Sequence, residues 1–187
     1  MNRMKQNREE RVVSLFENAA GTDAWGTEFG ASVFARINMC LLSLGEGTLV
    51  LIDYAGLERS DVSFQREAVV ETLRKHRPRL LFVALNLSDV DLRENLQLAL
   101  ERRGEWLLAR DPHGTAVLGK RLTSDQQATL ERIWQDGEVT SSDFEIDQVK
   151  LSTASSRLSF LWKAGLVERI EGTSPSGGRE HRYRSVT

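Results

Sequence analysis

Several features that mark whole functional classes are scarce or missing in this sequence. Cysteine occurs once in 187 residues, at Cys40. A single thiol excludes an intramolecular disulfide framework and leads us to expect a reducing, cytoplasmic setting. No apolar run approaches the roughly 20 residues that a membrane-spanning helix needs. The opening stretch, MNRMKQNREERV, is charged throughout and leads into no apolar segment. Neither a secretory signal nor a membrane partner is therefore expected. Histidine occurs only at His76, His113 and His181, and no HxxxH or CxxC spacing exists, so no metal ligation is expected. Gly21, Gly26 and Gly30 do not make the GxGxxG fingerprint of a dinucleotide cofactor, and no cofactor is expected. Charge of one sign is also lacking: the formal net charge is −2, which by itself points to neither nucleic acid nor a lipid surface.

What is present is the make-up of an ordinary globular protein, with 40% hydrophobic and 28% charged residues, which opposes disorder of the whole chain. The length suits one medium domain or two small ones, and the pattern favours two. Residues 1–10 are expected to be a flexible N-terminus. From 11 to 120, short apolar runs alternate with helical periodicity: RVVSLF (11–16), TLVLIDY (48–54) and LLFVALNL (80–87) read as strands. Between them, Phe29, Val33, Phe34, Ile37, Leu41 and Leu44 recur at helical spacing, as do Phe64, Ala68, Val69 and Leu73. Basic Arg74, Lys75 and Arg77 before Pro78 form a helix stop. A third helix starts near Ser88 or Asp89 and runs to Gly104. WLLAR and TAVLG then flank the turn-rich Asp111-Pro112-His113-Gly114. The alternation predicts an α/β layer with a helix-covered sheet.

Residues 121–187 follow another plan. Leu122 to Trp134 reads as a helix capped by Thr123 or Ser124, and a short second helix is capped by Ser141 or Ser142. A third helix, capped by Ser152, stops at Gly165. Leu166–Ile170 and Arg179–Arg184 read as the two strands of a hairpin. Three helices followed by a hairpin predict an α+β winged helix. Charge is sorted within this segment. From Thr123 to Asp147 there are seven acidic residues and one basic one, Arg132, whereas from Gln148 onward seven basic residues face three acidic ones. A nearly neutral chain sorted in this way can present a basic face to phosphates. On the third helix Ala154, Leu158 and Leu161 share an inward stripe, leaving Thr153, Ser155, Ser156, Ser159 and Lys163 outward. Small hydroxyl side chains at a helix start suit a major groove.

The stretch KLSTASSRLSFLWKAGLVER is similar to the recognition helix and first wing strand of bacterial winged-helix regulators of the multiple-antibiotic-resistance and arsenical-resistance types. SGGREHRYR looks like their wing. The resemblance covers roughly the last third of the chain. It implies a DNA-binding set of Lys150, Thr153, Ser155, Ser156, Arg157, Ser159, Lys163, Arg179, Arg182 and Arg184, with double-stranded DNA as partner and a homodimer as the acting form. In this sequence Ser156 stands where the family usually has arginine, and Arg157 follows one position later.

Catalytic signatures in the first segment are weak. Gly114-x4-Gly119-Lys120 matches part of a phosphate-binding loop, but its middle, TAVL, has a strand pattern and Arg121 replaces the magnesium ligand. Cys40 lies in the apolar run NMCLLSL and is expected in the core. Asp53 ends an apolar strand, where it either acts chemically or caps the turn at Ala55-Gly56. No enzyme is expected. The stretch TLVLIDYAGLERSDVSFQREAVVETL instead looks like the central strand–helix unit of STAS-like domains, the class typified by anti-sigma-factor antagonists. Asp53-Tyr54, Gly56-Leu57, Ser60, Ser63-Phe64 and Glu67 carry that resemblance, which spans roughly 10–120. It implies a mixed sheet with helices in a non-enzymatic domain that binds a protein or small ligand. Ser60 and Ser63 are candidate regulatory phosphorylation sites, and either Ser60 or Asp61 is the helix cap. The combined expectation is a transcriptional regulator. The alternative is an interaction switch that pairs with a kinase-like ATPase and binds no DNA.

Overall fold

The computed structural model describes residues 8–111, 114–173, 177 and 179–187, which divide into two compact units, Met1–Lys120 and Arg121–Thr187. The expected flexible N-terminus lies largely outside the described residues. Both units mix helices with sheet, and the larger is α/β with a mixed sheet.

In the first unit the elements in chain order are β1 (Glu10–Ser14), α1 (Leu15–Ala19), β2 (Asp23–Ala24), α2 (Thr27–Leu41), β3 (Leu49–Asp53) and β4 (Arg59–Ser60). They are followed by α3 (Val62–Gln65), a π-helical turn (Arg66–Val70), α4 (Glu71–His76), β5 (Leu81–Leu85), α5 (Val90–Arg103), β6 (Trp106–Asp111) and β7 (Gly114–Gly119). Five strands form one sheet in the order β1-β3-β5-β6-β7. The first four run parallel, and β7 returns antiparallel to β6. β2 and β4 pair separately as a short parallel ribbon. A strand buried on both faces needs apolar side chains at successive positions, and Leu49–Ile52 and Leu81–Ala84 supply them, every one buried. Alternate residues of these strands, Val50, Ile52, Phe82 and Ala84, share one core with Val33 and Ile37 of α2, Phe64 of α3, Leu73 of α4, and Leu96 of α5.

Local signals set the helix ends. Asp61 and Asp89 cap α3 and α5, accepting from the amides of Phe64 and Leu92 at 2.7 and 2.9 Å. Gly104 ends α5 in the left-handed conformation, as the sequence predicts. Close helix packing requires Gly30: a Cβ there would lie 2.9 Å from the Glu67 Cβ and 3.0 Å from the Phe64 carbonyl.

The expected strand Arg11–Phe16 is shorter than its apolar run. Ser14 accepts from the Glu17 amide at 3.2 Å and turns Leu15 and Phe16 into α1, so a capping hydroxyl overrides the strand pattern. Cys40 is exposed rather than in the core, because α2 buries Ile37 and Leu41 and turns the intervening residues outward. Pro112 and His113 of the expected turn lie outside the described residues.

The second unit comprises α6 (Ser124–Asp136), β8 (Glu138–Val139), a 3-10 turn (Ser142–Asp147), α7 (Leu151–Lys163), β9 (Val167–Thr173) and β10 (Arg179–Ser185). Its sheet order is β8-β10-β9, all antiparallel. Thr123, not Ser124, caps α6, in a reciprocal capping box with Gln126. The short second helix is a 3-10 turn in which no side chain makes the cap. Lys150, rather than Ser152, is the N-cap of α7, and Ser152 lies within its first turn.

Candidate nucleic-acid interface

The third helix of the second unit is anchored through Ala154, Leu158 and Leu161, which are buried as their spacing predicts. That anchoring leaves Leu151, Ser152, Thr153, Ser155 and Ser156 exposed over the first turn and a half. No side chain caps the N-terminus of α7, and no acidic residue stands in its first turn. Free amides and the positive end of the helix dipole therefore meet a surface of small hydroxyls, an arrangement suited to anionic oxygen. Ser156 donates back to the Ser152 carbonyl at 2.9 Å, so its hydroxyl is partly occupied within the helix. Lys150 is exposed at the N-terminal end, Lys163 is exposed at the far end, and Ser159 is half-buried.

Three arginines of the set, Arg157, Arg182 and Arg184, have partners inside their own unit. Arg157 of α7 is ion-paired with Asp125 in the first turn of α6. Arg182 meets Glu138 at 3.3 Å, and Arg184 meets Glu168 at 2.5 Å, the residue directly opposite it in the β9–β10 register. The Arg179 backbone opens β10 opposite Thr173; its side chain lies outside the described residues. Sequence reading missed these carboxylates. Glu168 was accessible through hairpin register, but Asp125 lies 32 residues from Arg157 and gives no local signal.

Two further groups shape the surface. Arg169 stacks over the Trp162 ring with its guanidinium carbon 3.5 Å from the centroid, which ties β9 to α7. Arg132, the lone base of the acidic stretch, clamps that stretch together. It pairs with Asp136 at 3.3 Å and with Asp147, donates to the Asp143 carbonyl at 3.0 Å, and lies over the Phe144 ring. Tyr183 is buried in β10, and burial raises its phenol above the ordinary range. A shallow groove beside the α7 N-terminus is lined by Leu151, Ser152 and Ser155 of the helix and by Glu180, His181 and Tyr183 of β10, among others, and brings the helix start next to the hairpin, with Glu180 as its one acidic residue.

In the first unit Ser60 is only 2% exposed. Its hydroxyl accepts from the Gln65 amide at 2.7 Å, and Gln65 in turn accepts from the Tyr54 hydroxyl at 2.8 Å. A modifying enzyme reaches Ser60 only after local opening. Asp61 is the helix cap, and Ser63 is half-buried in the first turn after it. Asp53 accepts from the Ala55 amide at 2.9 Å and from Asn86 at 2.7 Å, the geometry of a turn cap. The Gly114–Gly119 segment is strand β7. Among the described residues no group of His, Cys, Asp or Glu converges to hold a metal ion, and no helix is long and apolar enough to cross a membrane. No protein-family model, curated protein or solved structure matches the chain.

Proposed function

We propose that this protein is a non-enzymatic, DNA-binding transcriptional regulator, in which a C-terminal winged helix reads duplex DNA and an N-terminal STAS-like domain senses a ligand or partner. One observation carries the reading: α7 offers an uncapped, acid-free N-terminus covered by exposed Ser152, Thr153, Ser155 and Ser156, with the β9–β10 hairpin beside it. The helix enters the major groove by its N-terminal turns. Thr153 and Ser155 meet base edges or phosphates, Lys150 and Lys163 neutralise the backbone, and Arg179 and Arg182 do so from the wing. The acting form is a homodimer, which doubles the contact set over two related half-sites.

Internal pairing of Arg157, Arg182 and Arg184 favours the second reading, an interaction switch whose winged helix binds no DNA, because each guanidinium already has a carboxylate. The two readings separate in fluorescence anisotropy with the duplex upstream of the protein's own gene and a scrambled control, each at two salt concentrations. The regulator binds its duplex more tightly than the control and loses affinity in Thr153→Ala/Ser155→Ala. Absence of binding to either duplex at low salt overturns the DNA reading.

A further inference from the structure

The first unit has a groove of about 230 Å³ between the β2–β4 ribbon and one face of α5. The helix contributes Asp91, Glu94, Asn95 and Leu98, whose spacing stacks them on a single face. Facing them are Ser60 and Glu58 from the β4 region and Trp25, which follows β2. The wall is held in place by Asn95, which donates to the Ser60 carbonyl at 2.8 Å.

Three properties of this groove identify a ligand class. The carboxylates of Glu58, Asp91 and Glu94 have no ion-pair partner among the described residues, whereas Glu67, Glu71 and Glu105 of the same unit are all paired with arginines. Arg59, the one base in the lining, pairs with none of them, so the groove keeps a net negative charge. The three carboxylates do not converge on a metal-sized centre. Trp25 and Leu98, 53% and 42% exposed, add an indole and an isobutyl wall, which a hydrated inorganic cation does not use.

We infer that this groove is a binding site for an organic cation, an alkylguanidinium or alkylammonium group on an apolar stem. The charged head lies among Glu58, Asp91 and Glu94, with Asn95 Oδ1 as a further acceptor. The stem lies along Leu98, and the Trp25 ring supplies a cation–π face. The volume suits one such group. Its source is either a free small molecule or an arginine or lysine side chain of a protein segment, and neither depends on whether the other unit binds DNA.

The test is titration calorimetry of the full chain with agmatine, with a blocked Gly-Arg-Gly peptide as second probe and glutamate as anionic control. Agmatine is expected to bind saturably with a Kd of about 0.1–1 mM. Asp91→Asn/Glu94→Gln is expected to weaken it at least tenfold, and Trp25→Leu several-fold. All three positions are exposed, and an unchanged far-ultraviolet circular dichroism spectrum shows the variants folded. Tighter binding of the peptide assigns the protein source; tighter binding of agmatine assigns the free ligand. No saturable heat with either cation, or binding indifferent to the double substitution, overturns the proposal.

Discussion

Replacing Asp125 with Asn tests whether Arg157 is held in reserve for phosphate. Asp125 lies in the first turn of α6 with its side chain 63% exposed, and Arg157 reaches it from α7 with 24% of its own side chain exposed. An exposed pair of this kind contributes about 0.2–1 kcal/mol. A DNA phosphate that recruits Arg157 must first give up that amount, so removing the carboxylate returns it to binding. The expected gain is therefore at most about fivefold in affinity. A second readout is independent of that gain. If wild-type Arg157 stays with Asp125 in the complex and joins a phosphate only in the variant, the log–log salt slope steepens by about 0.9. If Arg157 already switches partners in the wild type, the affinity rises while the slope stays constant. Asp125→Asn also removes an anion from a helix N-terminus, at a cost of about 0.3–1 kcal/mol that a melting curve records separately. The assay is anisotropy at four salt concentrations with wild type, Asp125→Asn, Arg157→Ala and the double variant. Equal affinities and slopes in all four would refute the role given to Arg157.

Three further outcomes follow from the first unit. His76 is buried, accepts from Arg79 at Nδ1 (3.1 Å) and bonds Asn38 through Nε2 (3.0 Å); burial, Arg79 and Lys75 hold its pKa below the ordinary value. The unfolded chain therefore binds the proton more readily, so stability is full above the unfolded value of about 6.5 and declines as pH falls below it, a step that His76→Gln should flatten in melts from pH 8 to 5. Arg77, whose burial lowers its pKa to about 10, donates to the Trp106 carbonyl at 2.7 Å and faces Glu105 at 3.6 Å. Arg77→Ala should cost about 3–5 kcal/mol in urea unfolding, and Arg77→Met distinctly less because it keeps the volume. Gly119→Ala should destabilise by about 3 kcal/mol or more, since its Cβ would lie 2.1 Å from the Glu105 carbonyl at a φ of +106°, whereas Gly21→Ala, with open space around it, should change the melting temperature little.

The sequence alone determined what depends on near neighbours: the buried strands at 49–53 and 81–85, a helix cap at 60 or 61 and another at 88 or 89, which the structure narrows to Asp61 and Asp89, the stop at Gly104, and the inward stripe Ala154-Leu158-Leu161. Each rests on periodicity or capping within a few residues, so its energetic cause is written locally. Where two local signals competed, as at Ser14, the hydroxyl cap overrode the apolar run, and at Cys40 the helix phase outweighed hydrophobic surroundings. Only the tertiary structure decided which charges are satisfied. Arg157 finds Asp125 across 32 residues, and Trp25, Glu58 and one face of α5 come together because β2 pairs with β4 and Asn95 ties the helix to Ser60. The same packing buried Ser60 and left Asp91 and Glu94 without an ion-pair partner among the described residues. Pairing at long range depends on where chain segments dock, and docking is driven by non-directional apolar burial that leaves no mark on the polar residues it brings together.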